Sequence, residues 1–397
     1  MQLFDTGAAA LAPLTPRDGR VGIYVCGITP YDGGHLGHAF TYHTFDVIAR
    51  RLRAGGVEVR SVRNVTDVDD DILRVARERA VDYRALGERE SLRFDRDMAD
   101  LGLLNVDASP RASDRVPEMV EWIARLVGRG AAYVAEGWVY FDVERFPAYG
   151  AFSGLDPASM VQLSRTRGGD PDDTRKRSPL DFVLWQRSLP DEPHWPSPWS
   201  AGRPGWHIEC TVLSATELTL PIDIHGGGDD LIFPHHESEI AQAVAAGVPS
   251  YVRHWVHVAM VGYHGEKMSK SLGNLVFVRD LLNQVPAPVI RLLLSAHHHR
   301  AAWEYDPGQL RRAESRWLAY RSAASSRSMF SPADAQAVTD DFTACIDDDL
   351  DTPGALAILD EVAARSSLSA GAIGAAVSTA QLIGPLLDVL GAPLPSP

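Results

Sequence analysis

The chain has 397 residues, 45% apolar and 23% charged; this excludes a single small domain and leaves ample material for a core spread over two or three. A net charge of −14 argues against non-specific coating of nucleic acid, which relies on a broad basic surface. Three cysteines, Cys26, Cys210 and Cys345, exclude a disulfide scaffold and point to a reducing, cytoplasmic setting.

In chain order, Val21 to Cys26 is a short β-rich run that ends in the turn-rich loop Gly27-Ile28-Thr29-Pro30-Tyr31-Asp32. A helical pattern from about His38 to Ala54 and a strand from Val57 to Val65 complete a β–loop–α–β unit, the start of a doubly wound parallel sheet. Asp69 to Ala80, Tyr83 to Leu101 and Pro117 to Arg129 read as helices, and Ala132 to Val143 as a hairpin. Residues from Glu144 to Arg203 are poor in regular pattern and rich in Pro, Asp and Ser, as expected of an insertion or lid. The pattern resumes with a helix from Gly205, a strand over Leu218 to His225, a Gly-rich loop over Gly226 to Asp230, a helix over Leu231 to Ala246 and a strand over His254 to Val261. From about Val278 the pattern is helical without strand signals. The predicted architecture is an α/β Rossmann-like core over 1–285, with an insertion at about 106–203, and a helical domain over 286–397. Met1 to Ala10 has no basic leader pattern, and Ala372 to Leu390, broken by Gln381, Pro385 and Asp388, is no membrane span.

Lysine usage is more informative than net charge. Only Lys176, Lys267 and Lys270 occur among 38 basic residues. Two of the three lie in Lys267-Met268-Ser269-Lys270-Ser271, a Gly-flanked run. Compact ammonium groups there can neutralise charge that builds on a departing pyrophosphate. A second constellation, His35-Leu36-Gly37-His38, follows the first strand at a helix start, where free N–H groups and the helix dipole favour phosphate. Gly37 leaves room for a close approach by an adenine or ribose. Each motif alone is also compatible with ordinary polar surface.

Together, and in this order, the two motifs resemble those of class I aminoacyl-tRNA synthetases over at least residues 21–278. The resemblance implies that ATP and an amino acid give an aminoacyl-adenylate and pyrophosphate, with His35, His38, Lys267 and Lys270 acting on the phosphates and Mg2+ accompanying ATP.

A third constellation bears on which amino acid is activated. Cys26 ends the first strand, Cys210 lies in Gly205-Trp206-His207-Ile208-Glu209-Cys210, and His235 and Glu239 lie four apart on a predicted helix and so share a face. Two thiolates, an imidazole and a carboxylate are a sensible zinc set, although buried cysteines are also ordinary apolar residues. The surroundings are similar to cysteinyl-tRNA synthetases, in which zinc binds the substrate thiolate. A hydroxyl is a much poorer zinc ligand, which would explain rejection of serine.

Three features depart from those synthetases. The loop Gly27 to Asp32 differs, the insertion carries Thr166-Arg167-Gly168-Gly169-Asp170-Pro171, and only about 120 residues follow the Lys267 motif. All three resemble the cysteine ligases of mycothiol biosynthesis, whose E-R-G-G-D-P signature is matched from Arg167 to Pro171 with Thr166 in place of Glu. The resemblance implies transfer of the cysteinyl group to the amine of glucosaminyl-inositol and no use of tRNA. Carried over residue by residue, the cysteinyl-adenylate pocket comprises Cys26, Gly27, Ile28, Thr29, Thr41, Asn64, Val65, Thr66, Trp206, Gly228, Asp229, Asp230 and Val261. Glu239 points towards the tRNA synthetases, which use it as a zinc ligand; it either completes a resting tetrahedral site or stays outside it. A compact cysteinyl-tRNA synthetase and a cysteine ligase for another amine are the alternatives. Asp67, Asp69, Asp70 and Asp71 read as a helix-start cluster. The run His297-His298-His299, expected on a helix with the rings facing different ways, is not read as a metal site.

Overall fold

The computed structural model describes residues 1–268, 273–366 and 376–395. An N-terminal hairpin, β1 (Gln2–Asp5) and β2 (Ala10–Pro13), precedes β3 (Arg20–Ile28), α1 (Leu36–Ala54) and β4 (Glu58–Val65). Next come α2 (Asp70–Glu78), α3 (Tyr83–Asp100) and α4 (Val116–Gly128). The insertion contains β5 (Ala132–Ala135), β6 (Trp138–Phe141), α5 (Pro157–Thr166), β7 (Phe182–Arg187) and β8 (Gly202–Pro204). The core resumes with α6 (Trp206–Glu217), β9 (Ile222–Gly228), α7 (Glu237–Ala245), β10 (Val252–Val258), β11 (Val261–Tyr263) and β12 (Glu266–Lys267).

The central sheet has the order β10-β9-β3-β4 and every neighbour is parallel. It is built from two β–α–β units, one through α1 and one through α7, as the sequence pattern predicts. Six of the seven residues of β9 are buried, because parallel strands with helices on both faces need apolar or internally paired side chains throughout. Alternation sorts β3: Ile23 and Val25 join the apolar cluster containing α1, whereas Tyr24 and Cys26 join the one containing α4 and α6. Cys26 therefore faces away from α1 and towards α6.

The insertion is more regular than its composition predicts. Its four strands form an antiparallel sheet, β5-β6-β7-β8. The segment after the Arg167 signature is fixed to it: Arg175 lies 3.9 Å over Trp138, Arg177 4.0 Å over Tyr133, and Asp173 accepts from Tyr140. Cation–π stacking and ion pairs replace the apolar periodicity that sequence reading relies on.

Three other expectations are corrected. The N-terminal hairpin was not foreseen; it docks on β10 through Trp255 N donating to Asp5 Oδ1 at 2.9 Å and Thr6 N to Trp255 O at 2.9 Å. Gly226 to Gly228 are not loop but the end of β9, because a Cβ at Gly226 would lie 2.0 Å from Val256 O on the paired strand. The predicted helix from Leu231 starts instead at Glu237, after an irregular turn in which Phe233 is extended at φ −134, ψ 135.

The helical end comprises α8 (Val278–Leu282), α9 (Ala287–Ser295), α10 (Pro307–Ala324), α11 (Pro332–Asp347), α12 (Thr352–Ser366) and α13 (Thr379–Val389). Short strands do occur there: β13 (Trp303–Glu304) extends the β11 pairing, and β14 (Met329–Phe330) pairs with β15 (Val377–Ser378). These helices share one apolar cluster with β3 and α1, which is why α1 buries residues all round. Among the described residues, no helix is long and apolar enough to cross a membrane.

Candidate active site and metal centre

The strands end on one edge of the sheet, where ligands bind in open α/β folds. At that edge α1 begins with a histidine cap. The His35 ring nitrogen Nδ1 accepts from Gly37 N at 3.1 Å and His38 N at 3.4 Å, while His35 N approaches His38 Nδ1 at 3.5 Å. The two rings stack with centroids 3.8 Å apart. The motif is thus a reciprocal capping box. A Cβ on Gly37 would lie 3.0 Å from the His35 ring, so in this state glycine makes room for the capping imidazole. Thr41 Oγ1 donates to Gly37 O at 3.2 Å.

The segment following the lysine motif returns to this helix start. Leu36 N donates to Val276 O at 2.8 Å and Val278 N to Gly34 O at 3.0 Å. Lys267 belongs to β12, where Gly262 of β11 is its partner, and Val261 is buried at the start of β11. Lys270 lies outside the described residues. Gly228, Asp229 and Asp230 follow one another from the end of β9 into a short turn.

At the ends of β3 and β4 the chains nearly touch. Gly27 N donates to Asn64 Oδ1 at 2.7 Å, and Asn64 Nδ2 donates to Thr66 Oγ1 at 3.1 Å. A Cβ on Gly27 would lie 1.6 Å from Asn64 O, too close for any side-chain rearrangement to relieve. Gly27→Ala will therefore lower stability by about 1–3 kcal/mol, as overpacking does, and raise the KM for the amino-acid substrate. Thermal melts and ATP–pyrophosphate exchange check this; a variant matching the parent in both would show the close approach to be dispensable.

Beneath this edge, three segments far apart in sequence converge. Cys26, Cys210, His235 and Glu239 each place a donor atom within 4.8 Å of the others, and all four residues are buried. Cys26 Sγ lies 3.7 Å from Cys210 Sγ and 3.7 Å from Glu239 Oε1. His235 Nε2 is 3.1 Å from Glu239 Oε1 yet makes no aligned hydrogen bond. Four donor atoms gathered this closely around one point suit a bound cation. Two sulfurs, a nitrogen and a carboxylate oxygen form a donor set that fits zinc. Glu239 thus stands inside the cluster. Tyr251 Oη donates to its other oxygen, Oε2, at 2.9 Å.

Electrostatics agree with a ligand set. Burial alone would raise the Cys210 thiol, but the hydrogen bond from Cys26 and the His235 charge bring it down to about 5. Burial likewise opposes protonation of His235, and the Cys210 thiolate overrides it, lifting His235 to about 10. Burial raises Glu239 to about 7. Burial, with Cys210 alongside, pushes Cys26 well above the usual thiol range.

Several neighbours were not singled out from sequence. His225 and His236 form a second group with Cys26 and Glu239. His236 Nδ1 pairs with His257 Nε2 at 2.7 Å, and His257 Nδ1 with Thr6 Oγ1 at 2.7 Å. His207 Nδ1 lies 3.0 Å from His235 Nδ1, and the Trp206 ring lies 4.3 Å from the His235 ring. Polar residues inside the buried runs of β9 and β10 were the available signal. Of the aspartates, Asp69 caps α2 through Asp70 N, and Asp70 and Asp71 fill its first turn, as a helix-start cluster should, whereas Asp67 accepts instead from Ser113, 46 residues further on. The His297 run does not lie on a helix; it follows α9, with His297 stacked 3.8 Å from Trp303. It contributes to neither metal-capable group among the described residues.

Comparison with known proteins agrees with this geometry. The family described as tRNA synthetases class I (C) catalytic domain matches residues 13–315. An L-cysteine:1D-myo-inositol 2-amino-2-deoxy-alpha-D-glucopyranoside ligase of Acidothermus cellulolyticus is 45% identical, over 90% of this chain and 88% of that protein. The ligase of the same name from Streptosporangium roseum is 44% identical, over 98% and 95%. A cysteine–tRNA ligase of Anaeromyxobacter dehalogenans is 41% identical, over 99% and 85%. Among solved structures, Mycobacterium tuberculosis methionyl-tRNA synthetase in complex with methionyl-adenylate superposes with a TM-score of 0.66 at 18% identity, over 88% and 82%, which establishes the shared fold. The chain belongs to the family of class I tRNA-synthetase catalytic domains of the cysteine type, alongside the L-cysteine:1D-myo-inositol 2-amino-2-deoxy-alpha-D-glucopyranoside ligases.

Proposed function

We propose that this protein is an ATP-dependent ligase that activates L-cysteine and transfers the cysteinyl group to the amine of glucosaminyl-inositol, a step of mycothiol biosynthesis, in the cytoplasm. The observation that carries the reading is the buried convergence of Cys26, Cys210, His235 and Glu239 in a chain whose full-length relatives include cysteine ligases. Cys26, Cys210 and His235 would hold zinc, with Glu239 as fourth donor. Zinc would supply a soft site that selects the cysteine thiolate over a serine hydroxyl.

In the first step a cysteine carboxylate oxygen attacks the α-phosphorus of ATP, and the bond to the β-phosphate oxygen breaks to release pyrophosphate. His35 and His38 at the start of α1, with Lys267 and Lys270, stabilise the phosphate charge by position and electrostatics; Mg2+ accompanies ATP. Cys26 to Thr29, Thr41, Asn64 to Thr66, Trp206, Gly228 to Asp230 and Val261 wall the adenylate. Asp229 and Asp230 accept from ribose hydroxyls or the substrate ammonium. In the second step the acceptor nitrogen attacks the carbonyl carbon, the bond to AMP breaks with AMP taking the electron pair, and the nitrogen loses a proton.

Lys267→Ala or Lys270→Ala will slow cysteine-dependent ATP–pyrophosphate exchange about 10²–10³-fold in kcat, the usual scale for losing a donor aimed at developing charge, with the KM for cysteine little changed. Unchanged exchange would remove the lysines from this role. The deciding experiment offers purified protein labelled cysteine, ATP, and either glucosaminyl-inositol or tRNA. Label on the amino sugar supports the reading; label on tRNA alone overturns it. The second outcome corresponds to a compact cysteinyl-tRNA synthetase, favoured by Glu239 and by the Anaeromyxobacter relative.

A further inference from the structure

The Arg167 to Pro171 run separates this chain from tRNA-charging relatives in the sequence reading, yet none of it belongs to the metal cluster. Its geometry shows what it touches. Arg167 follows the last residue of α5, and its Nη1 donates to two backbone carbonyls, those of Asp230 and Phe233. Both carbonyls belong to the segment between β9 and α7, that of Asp230 just before the irregular turn and that of Phe233 within it. Phe233 is extended there, so its carbonyl leaves the helical ladder and needs an outside donor.

The same turn is held by the insertion at its far end. Glu237, buried in the first turn of α7, accepts from Gly150 N and Ser153 N, both at 2.8 Å. Tyr149 Oη pairs with Ser238 Oγ at 3.0 Å. The segment that presents Asp229, Asp230 and His235 is therefore anchored to the insertion before and after His235. Gly169 closes the turn after Arg167: its N donates to Ser164 O at 2.8 Å, and a Cβ there would lie 2.3 Å from Ser164 Oγ.

We propose that Arg167 is a positioning residue for the cysteine site: its two bonds to the Asp230 and Phe233 carbonyls hold the turn that sets His235 in the metal cluster and Asp229 and Asp230 at the strand end. This rests on the cysteine-activation reading above. The insertion then acts as a brace for the amino-acid pocket, and the signature is tied to cysteine binding by contact rather than by acceptor binding alone. The planar guanidinium presents its donors in a fixed fork, which suits two carbonyls at one site.

The test compares Arg167→Met, Arg167→Lys and the control Arg165→Met in the zinc-loaded, full-length protein. Arg165, in the last turn of α5, pairs with Asp172 at the exposed surface. Three quantities are read: retention of zinc against a chelator, the KM for cysteine in ATP–pyrophosphate exchange, and the melting temperature. We expect Arg167→Met to raise the KM at least 10-fold, with a smaller change in kcat, and to speed zinc loss. Arg167→Lys should recover part of both, and Arg165→Met should match the parent. A melting temperature that falls while KM and zinc retention hold would reduce Arg167 to packing and overturn the proposal. So would a loss of kcat with KM and zinc retention unmoved. Absence of cysteine-dependent exchange in the parent protein would instead overturn the cysteine-activation reading itself.

Discussion

With Cys210 as a zinc ligand, as proposed, Cys210→Ser will abolish zinc retention and cysteine-dependent ATP–pyrophosphate exchange together. The substitution is nearly isosteric, so packing around a residue only 1% exposed is preserved. What is lost is a sulfur 3.7 Å from Cys26 and close enough to His235 for each to perturb the other. A serine hydroxyl is not deprotonated near neutral pH and is a hard, weak partner for zinc. Loss of a supporting partner alone costs 10–100-fold in affinity or activity at such sites; loss of a ligand should exceed about 100-fold. Metal content by elemental analysis and exchange kinetics with cysteine and serine check this on the same samples. A variant that keeps stoichiometric zinc and full preference for cysteine would remove Cys210 from the metal centre. Cys345→Ser is the control: Cys345 belongs to α11, far in sequence from the cluster and in neither metal-capable group.

The cluster was legible because its donors sit in motifs that resemble those of cysteinyl-tRNA synthetases: Cys26 near the end of a strand, which runs on to Ile28, a Trp-His-Ile-Glu-Cys helix start, and a His-His-Glu-Ser-Glu turn. The parallel sheet was legible too, since β3–α1–β4 and β9–α7–β10 follow apolar periods. What stayed hidden is what depends on distant partners. His225, His236 and His257 lie in segments where the pattern expects apolar residues, and they are accommodated only because they partner one another, Cys26, Thr6 and Glu239. The sheet of the insertion is fastened by Arg–aromatic stacking and Asp–Tyr hydrogen bonds, which leave no periodic signature. The helix predicted before α7 runs straight through Pro234, although proline disfavours a helical conformation at the preceding residue, Phe233; the Arg167 contacts to the Asp230 and Phe233 carbonyls left no sequence signature.

Asp46→Asn will destabilise the whole core by about 3–5 kcal/mol, the scale for leaving a buried charge without its partner. Asp46 lies midway along α1, and one of its oxygens meets the fully buried guanidinium of Arg291 on α9. The other accepts from Leu104 N at 2.8 Å, and Arg50 completes the group at 2.7 Å. Although burial works against ionisation, the two arginines hold the Asp46 carboxyl below its usual value. Arg291 also donates to Leu390 O at 3.1 Å, just beyond α13. One carboxylate thus ties the helix that begins at His35 and His38 to both ends of the helical region. Removing the negative charge strands Arg291 among apolar groups. Removing the positive charge, as in Arg291→Met, leaves Asp46 with Arg50 and Leu104 and fills the space with an apolar chain, so its cost should be smaller. Urea unfolding of both variants gives the comparison, provided the m-values match the parent. If Arg291→Met proved the more damaging, the brace would depend on the Leu390 contact and on packing rather than on charge. The capping box at the start of α1 would then owe its alignment to the apolar cluster it shares with the C-terminal helices.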